Sequence, residues 1–306
     1  MSSSSGPILV HAAALTDLGL VRKNNEDNFL VADLTAQVTT PEPAAFKHSV
    51  GVNGSMFLVA DGMGGANAGE IASQMAVDLV VQEVLHELVK RRRPPTQHDF
   101  LSILKRAIEN ANLAILHESR KRSDRKGMGT TLTAAAIHGG MIFFAQLGDS
   151  RAYLVRNGSI VQTTHDQSLV AQLVAAGSIT PAEAKVHPQR NVILQALGVQ
   201  NHIDIVFSSA DLKRGDCVVL CSDGLSGKVE AEEVRQLLEQ SPEAAENCER
   251  LIALARQRGG EDNITAIVVR VDGDGLPVPE HGEFPDYQKL QINSLKRRRF
   301  WPWGRG

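Results

Sequence analysis

The sequence predicts an α+β protein in which mainly antiparallel sheets are covered by helices. Strand-like segments follow one another along the chain without the regular strand–helix alternation that marks a parallel sheet. Two pairs of long amphipathic segments interrupt these strands, and each pair can cover one face of a sheet. With 306 residues, 42% of them hydrophobic and 22% charged, the chain is long enough to bury a large core. We therefore expect one domain over residues 8–271, followed by a tail over 272–306.

In the first half of the chain, short apolar runs predict strands, and apolar residues spaced three or four apart predict helices. The strands are expected at 8–16, 29–33 and 56–60, and the helices at 66–92 and 98–120. Residues 34–55 contain prolines and glycines with little periodicity, which predicts a connecting loop.

In the second half, a turn at Gly139 and Gly140 between two apolar segments predicts a β-hairpin. The strands are expected at 129–137, 141–147, 152–156, 216–221 and 264–271, and the helices at 169–176, from 180 onward, at 230–240 and at 243–258. Residues 165–195 combine short helices with many polar residues, so we expect a flap over a sheet edge. The composition changes after residue 271, where few apolar residues predict a mostly disordered tail.

An acid set among glycines ends the strand at residues 56–60. Asp61 follows this strand directly, and Gly62 and Gly64 come next. A carboxylate at a rigid strand end, beside a backbone carbonyl that a glycine leaves uncovered, suits a hard cation such as Mg²⁺ or Mn²⁺. For this motif taken alone, a simple Asp-Gly turn between a strand and a helix is the alternative interpretation.

The same combination of an acid, a glycine and a strand end recurs along the chain. It is found at Asp149, Asp223 and Asp262, and Glu26 and Asp27 add two more acids. Carboxylates gathered closely repel one another unless cations neutralise them. Because no histidine or cysteine cluster lies among them, an oxygen-ligated Mg²⁺ or Mn²⁺ site is the natural expectation. Two such ions can share a carboxylate and hold a hydroxide for in-line attack on phosphorus.

Composition argues against several other classes of protein. A formal net charge of −3 gives no reason to expect nucleic acid as a partner. The three cysteines lack metal-type spacing and fit free thiols in a reducing compartment. The start of the chain lacks the pattern of a secretory signal, and no apolar stretch approaches the ~20 residues of a membrane-spanning helix. We therefore expect a cytoplasmic protein, and we also expect a monomer.

Seven short motifs follow one another along the predicted domain. They are RKNNED from Arg22, VADGMGG from Val59, MGTTL from Met128, LGDSRAY from Leu147, HDQSL from His165, SDGL from Ser222 and GGEDNIT from Gly259. In their joint order and spacing, the chain closely resembles the metal-dependent PPM-type (type 2C) serine/threonine protein phosphatases. Each motif alone is weak, but together they are highly specific. The pattern is most similar to the compact bacterial branch that opposes eukaryotic-like serine/threonine kinases.

The resemblance implies a four-layer α-β-β-α sandwich, with two mainly antiparallel sheets flanked by helix pairs. It also implies two Mn²⁺ or Mg²⁺ ions, with Asp61 bridging them and the Gly62 carbonyl holding the first. The remaining implied roles are Asp223 and Asp262 on the second ion, Glu26 and Asp27 acting largely through bound water, Asp149 with Asp223 on a weaker third ion, and Arg22 as a bidentate clamp on the phosphate.

The function that the resemblance implies is hydrolysis of phosphoserine and phosphothreonine in proteins. A metal-bridging hydroxide would attack phosphorus in line, and the enzyme would oppose a bacterial serine/threonine kinase. The alternative from a different class is a pseudophosphatase that binds a phosphoprotein or kinase without turnover. Loss of metal-site acids would favour that alternative, and all of them are present. A third interpretation, an anti-sigma-factor regulatory phosphatase, usually comes with sensor domains, and none is visible.

Two positions depart from the family pattern. Many eukaryotic members carry a histidine after the Asp-Gly pair, proposed to protonate the leaving alcohol, and Met63 stands at that place here. Bacterial relatives often share this substitution, so activity is compatible with it. Gln195 stands where relatives often carry an arginine, which leaves the behaviour of the flap open.

The end of the tail places four cations at 296–299 beside the aromatic residues Phe300, Trp301 and Trp303. A solvated tail without function is the simplest interpretation. However, aromatic rings favour a membrane interface, and each cation contributes about 1 kcal/mol near anionic lipid. A weak, salt-sensitive contact with a membrane surface is therefore the alternative.

Overall fold

The chain folds into a series of β-strands interrupted by α-helices. In the computed structural model, which describes residues 6–40, 44–64 and 68–292, the strands are β1 (Leu9–Asp17), β2 (Asp27–Asp33), β3 (Val38–Thr40), β4 (Ala44–Ser49), β5 (Ser55–Met63), β6 (Gly129–Thr130), β7 (Leu132–His138), β8 (Met141–Leu147), β9 (Arg151–Arg156), β10 (Ser159–Gln162), β11 (Val206–Asp211), β12 (Cys217–Cys221), β13 (Ile264–Asp272) and β14 (Gln288–Leu290). The helices are α1 (Ala68–Val89), α2 (Gln97–Lys121), α3 (Leu169–Ala175), α4 (Pro181–Val186), α5 (Asp223–Ser226), α6 (Ala231–Gln240) and α7 (Ala244–Gln257).

These strands form two sheets. One sheet has the strand order β10-β9-β12-β13-β1-β4, and the other has the order β14-β11-β8-β7-β5-β2-β3, with β6 paired to β5. Every pairing among the described strands is antiparallel. The predicted class, mainly antiparallel sheets with helices, is confirmed.

Along the central strands, successive buried side chains point alternately into two different hydrophobic cores. On β5, Met56 and Leu58 lie in the core shared with α1 and α2, whereas Phe57 and Val59 lie in the core between the two sheets. Because successive side chains of a strand point to opposite faces, one buried strand serves two cores. Its sequence therefore reads as a continuous apolar run rather than an alternating one.

The second sheet repeats this arrangement on its own outer face. On β13, Ile267 and Val269 face the other sheet, while Ala266 and Val268 pack in a third core that also contains residues of α6 and α7. The order of layers is thus helix pair, sheet, sheet, helix pair. This is the four-layer α-β-β-α sandwich that the resemblance implies.

Two segments differ from the sequence-based expectation. Residues 34–55, expected as a loop, contain β3 and β4, and β4 forms a sheet edge by pairing with β1 from Leu9↔Ser49 onward. β11 was not predicted either, because its buried positions include Ser208 and Ser209. Such strands are defined by their backbone pairing partners, and a short polar segment shows little apolar periodicity.

The expectation of disorder from residue 272 is wrong for the described part of the tail. We call residues 273–290 the strap, because they cross from the end of β13 to the edge of the other sheet, where β14 pairs with β11. Leu276 is 1% exposed and belongs to the core between the sheets. Glu283 forms an ion pair with the buried Arg156 at 3.0 Å. The basic and aromatic residues at 296–303 lie outside the described residues.

The flap, residues 165–195, contains the two short helices that the sequence predicts. The side chains of Ser168 and Thr180 cap α3 and α4 by accepting hydrogen bonds from backbone N–H groups of the first turn. No residue of either helix is buried. At its root, the Gln167 N–H donates to the Gly148 carbonyl at 2.8 Å. The flap is therefore attached to the sandwich at its ends and contributes little to the cores.

Two further observations concern the chain as a whole. Within the described ranges, no helix is long and apolar enough to cross a membrane. The three cysteines, Cys217, Cys221 and Cys248, are free and buried, as their spacing predicts.

Candidate metal centre

The end of β5 fixes the backbone of Asp61 rigidly. Its N–H donates to Thr131 Oγ1 at 3.0 Å. Its carbonyl oxygen accepts from the Thr131 N–H and from Thr130 Oγ1, both at 2.9 Å. With the backbone held on both sides, the carboxylate of Asp61 is presented at the rim of the sandwich.

Gly62 allows β5 to approach two other backbone segments. A Cβ at this position would lie 2.2 Å from the Gly69 carbonyl oxygen and 2.6 Å from that of Glu26. Its N–H donates to the same Glu26 carbonyl at 3.1 Å. The start of α1, the end of β5 and the loop before β2 therefore meet only because residue 62 has no side chain.

Asp27 connects the two sheets behind Asp61. It lies opposite Asp61 in the β2–β5 register and is buried. Its Oδ2 accepts hydrogen bonds from Ser222 Oγ and Thr265 Oγ1, both at 2.7 Å. Ser222 and Thr265 belong to motifs that the sequence identifies, but their role in holding this acid was not predicted.

Asp223 and Asp262 are brought together by a close backbone approach. Asp223 begins α5 directly after β12, and Asp262 precedes β13. A Cβ on Gly224 would lie 1.9 Å from the Asn263 carbonyl oxygen. This contact places both acids at the same rim as Asp61, as the antiparallel arrangement predicts.

Asn263 organises the loop that carries Glu26. Its Oδ1 accepts from the Glu26 N–H at 2.8 Å, and its Nδ2 donates to the carbonyls of Leu18 and Asn24, both at 3.0 Å. Sequence reasoning did not identify this residue as functional. The sequence feature that could have identified Asn263 is its position directly after Asp262, where its side-chain amide can form hydrogen bonds with a distant loop.

Arg22 reaches the acids from the same loop. Its Nη2 donates to Asp262 Oδ2 at 2.7 Å, while its side chain is 49% exposed. This hydrogen bond is the main reason that the pKa of Arg22 is raised above its usual value. The guanidinium is thus available at the surface, beside the acids, where a phosphate could approach.

Asp149 lies in the turn between β8 and β9. The neighbouring Ser150 shares a 2.7 Å hydrogen bond with Thr131, so this turn rests on the same support as Asp61. Asp149 is buried, and its Oδ1 has no hydrogen-bond partner. A buried carboxylate oxygen without a donor is unfavourable unless it is protonated or contacts a cation.

The carboxyls act on one another electrostatically. Burial, followed by repulsion from the other acids, raises the pKa of Asp27 and of Asp149 to about 7. The same two causes raise the pKa of Asp61 well above its usual range, with contributions from Asp27, Asp223, Asp149 and Asp262. The structure therefore gathers four of the other predicted acids around Asp61. Burial also raises the pKa of Glu26.

The candidate ligand atoms are of the type that binds a hard divalent cation, although their positions do not form a complete coordination shell. All candidate ligands are oxygens, which Mg²⁺ and Mn²⁺ prefer. Among the described residues, no three acid, histidine or cysteine side chains already converge as a metal ion would require. Asp262 is turned toward Arg22 instead. Asp61 and Asp223 do lie within hydrogen-bonding reach of each other, so one cation could replace the proton between them.

The two departures from the family pattern have simple local consequences. Met63 lies in β5 opposite Gly129 and offers a thioether with no transferable proton. The Oε1 of Gln195 accepts hydrogen bonds from Gln200 Nε2 and from the Asp204 N–H, at 3.0 and 3.2 Å. Gln195 therefore stabilises the end of the flap.

Comparison with known proteins agrees with this geometry. The family model described as "Protein phosphatase 2C" matches residues 39–267. A serine/threonine protein phosphatase of Mycobacterium tuberculosis, PstP, is 38% identical over 264 residues, which are 86% of this chain and 45% of that protein. The chain thus spans less than half the length of this relative. A serine/threonine phosphatase of Listeria monocytogenes is 35% identical, over 86% of this chain and 96% of that protein.

Solved structures show the same similarity. The crystal structure of the M. tuberculosis phosphatase PstP/Ppp superposes with a TM-score of 0.71 at 37% identity, and it covers 86% of this chain and 99% of that one. The catalytic domain of PstP in complex with two manganese ions superposes with a TM-score of 0.69 at 36% identity, over 87% of this chain and 99% of that one.

Proposed function

Because the chain belongs to the protein phosphatase 2C family, we propose that it hydrolyses phosphoserine and phosphothreonine in proteins and depends on divalent metal ions. One observation carries the proposal: four other carboxyls raise the pKa of Asp61 by repulsion, and one of them, Asp149, has a buried oxygen without a partner. Divalent cations would neutralise this charge and supply the missing partner. Mn²⁺ or Mg²⁺ suits the ligand set equally.

The proposed ligands are oxygens from the residues described above. They are Asp61 and the Gly62 carbonyl for one ion, Asp61, Asp223 and Asp262 for a second, Asp149 with Asp223 for a weaker third, and Glu26 and Asp27 holding water around them. When bound, such ions supply positive charge to the phosphate oxygens and lower the pKa of water. Asp27 has the additional task of holding Ser222, directly before Asp223, and Thr265, three residues after Asp262, so it positions the segments that carry both acids.

Arg22 is proposed to bind the phosphate. Its guanidinium offers parallel N–H donors that match two oxygens of a phosphate, and it is half-exposed at the rim. Water then attacks phosphorus in line with the leaving alcohol, and no covalent enzyme intermediate forms. Because Met63 has no transferable proton, the leaving alcohol takes its proton from water or another group.

The test is the Asp61→Asn variant. Wild-type protein should hydrolyse a small aryl phosphate only with Mn²⁺ or Mg²⁺ present, and Asp61→Asn should abolish this turnover. Circular dichroism should show an unchanged fold, because the backbone of residue 61 is held by Thr130 and Thr131 whatever its side chain. Near-normal turnover by the folded variant would remove Asp61 from the centre of the site.

The pseudophosphatase remains the alternative outcome of the same assay. Such a protein would bind metal and a phosphopeptide but would give no turnover with any divalent cation. None of the predicted metal-site acids is missing from the chain, which argues against that outcome. We further propose that the substrates are phosphorylated proteins, among them a bacterial serine/threonine kinase or its targets, and that the protein acts as a monomer in the cytoplasm.

The proposal for the end of the tail rests on sequence alone. If residues 296–303 contact a membrane, removing residues 293–306 should weaken co-sedimentation with anionic vesicles at low salt while aryl phosphate turnover stays unchanged. Equal sedimentation of the full and shortened chains would return the tail to the interpretation without function.

A further inference from the structure

A cavity of about 770 Å³ opens between the acids and the flap. Asp149, Asp223 and Asp262 line one side of it, and the flap helices α3 and α4 line the other. This volume is typical of a site for a drug-sized ligand, and it far exceeds what a phosphate group needs. The cavity therefore has room for chain on at least one side of a phosphorylated residue.

The part of the cavity wall that α3 forms is apolar. Val170, Ala171 and Val174 of α3 line it, and Val174 shares a helix face with the other two because it lies four residues after Val170 and three after Ala171. None of them is buried, so this apolar face is not covered by residues of the hydrophobic cores. An aliphatic side chain placed here would lose its own contact with water and cover part of α3.

The rim of the cavity carries charges, most of which are paired. Lys185 of α4 lies 2.5 Å from Glu230, and Lys228 forms an ion pair with Glu261. Arg151 and Asp166 pair in the same way at 2.6 Å. These contacts neutralise each acid of the rim outside the metal centre.

Arg190 is the cation left over. It lines the cavity and is exposed. Among the described residues, no carboxylate lies within ion-pair distance of it, although its charge helps to lower the pKa of Glu261, the partner of Lys228. A carboxylate entering the cavity could therefore pair with Arg190 without breaking an ion pair, whereas an incoming ammonium group would have to break one to gain a partner.

We propose that this cavity binds the segment of substrate next to the phosphorylated residue, with an aliphatic side chain on α3 and an acidic side chain on Arg190. The proposal rests on the function proposed above, since it names the class of phosphoprotein that the same site accepts. It assigns selectivity to the flap: substrates with leucine-like and acidic residues beside the phosphoserine are preferred over substrates with small or basic ones.

The experiment compares matched phosphoserine peptides with the Mn²⁺-loaded enzyme. One peptide carries Leu and Glu beside the phosphoserine, and the others replace Leu with Ala or Glu with Lys. Wild type should prefer Leu over Ala about ten-fold in kcat/KM, as partial burial of an aliphatic side chain allows. It should prefer Glu over Lys about five-fold, as an exposed charge contact allows. Equal kcat/KM for all peptides would overturn the proposal.

Variants test which residues of the cavity determine the peptide preference. Arg190→Glu should reverse the preference between the Glu and Lys peptides, and Arg190→Ala should remove it. Val174→Asp should remove the preference for Leu. The controls are Gln172→Asp, on the exposed face of the same helix, and Arg92→Glu, an exposed arginine on the loop after α1; both should keep the wild-type ratios.

Ratios within one enzyme are used because they are insensitive to the fraction of protein that folds. An unchanged Glu-to-Lys ratio in Arg190→Glu and in Arg190→Ala would overturn the role of Arg190, and a preference lost equally in the control variants would overturn the role of the cavity. Wild-type turnover of aryl phosphate distinguishes failure of the proposed phosphatase function from failure of the proposed peptide selectivity. If it is absent, the proposed phosphatase function fails; if it is present without peptide selectivity, only this inference fails.

Discussion

Two buried aspartates at opposite ends of the sandwich should respond to the same substitution with opposite signs. Asp149 has other acids as neighbours and an oxygen without a donor. Asp216 instead receives hydrogen bonds from Arg156 Nε and Nη2, at 2.8 and 2.7 Å, and from the Lys213 N–H at 2.9 Å. We expect Asp149→Asn to stabilise the metal-free protein and Asp216→Asn to destabilise it.

The magnitude for Asp149 follows from its pKa. Burial and repulsion raise it from 3.8 to about 7, so the folded protein keeps a proton that the unfolded chain releases. Between about pH 4 and 7 the folded state binds more protons, and the free energy of unfolding therefore falls as pH rises through this window. About three pKa units correspond to roughly 4 kcal/mol once the group is ionised at pH 8. An amide avoids this loss but must satisfy its own N–H groups, so a net gain of about 1–3 kcal/mol is expected.

The magnitude for Asp216 follows from its partner. Burial raises the pKa of this carboxyl as well, but removing its charge would leave Arg156, which is 5% exposed, with Glu283 as its remaining acid. Breaking a buried pair costs roughly 3–5 kcal/mol. Because Glu283 remains, we expect the lower end, about 3 kcal/mol.

The assay is urea unfolding of wild type and both variants in chelator at pH 5 and pH 8. At pH 8, Asp149→Asn should be more stable than wild type. At pH 5 only about one pKa unit of this loss has developed, so the advantage should shrink by roughly 2–3 kcal/mol and largely disappear. The reasoning is refuted if Asp149→Asn is less stable than wild type at pH 8, or if its advantage is the same at both pH values. Loss of stability in Asp216→Asn serves as the matched control.

Three further predictions concern phosphate binding, the strap and backbone packing. Arg22→Ala should lower kcat/KM by one to two orders of magnitude, mainly through KM, as expected for a lost bidentate charged contact; unchanged steady-state kinetics would remove Arg22 from the site. Leu276→Ala should cost about 2–4 kcal/mol in urea unfolding because the side chain is buried between the sheets, whereas Val278→Ala, at an exposed position of the strap, should cost less than about 0.5 kcal/mol. Gly224→Ala should abolish turnover, because its Cβ would lie 1.9 Å from the Asn263 carbonyl oxygen; a crystal structure of an active variant with unmoved backbone would contradict this.

The sequence predicts the acids well because each belongs to a local pattern. An apolar run ends and a glycine follows, so the acid between them comes near the end of a strand: Asp61 lies two residues before the end of β5, and Asp223 lies two residues after the end of β12. The helices α1, α2, α6 and α7 are predicted for a similar reason, since apolar residues at helical spacing lie within one segment. Antiparallel pairing then requires the ends of several strands to meet.

The parts of the fold and the site that the sequence does not predict depend on contacts between residues far apart in the chain. Asp27 is held by residues 195 and 238 positions away, Ser222 and Thr265, and no periodicity records such a contact. β4 and β14 are short edge strands that exist because β1 and β11 offer them hydrogen bonds. The strap illustrates the same point. Its composition resembles a disordered tail, yet Leu276, the ion pair of Glu283 with Arg156 and the short strand β14 attach it to the sandwich.

The pair formed by Arg22 and Asp262 links metal binding to phosphate binding. Nη2 of Arg22 is engaged by Asp262 Oδ2 at 2.7 Å, yet the first residue is proposed to bind phosphate and the second to hold a cation. A cation that takes the Asp262 carboxylate would release the guanidinium, and a phosphate that takes the guanidinium would release the carboxylate. Each ligand would thus make the other easier to bind, since both compete with the same ion pair. At such an exposed position the pair itself is worth no more than about 1 kcal/mol, so exchanging it for either ligand costs little. On the proposed roles, the ion pair would keep both groups at the rim until a cation and a phosphate replace it together.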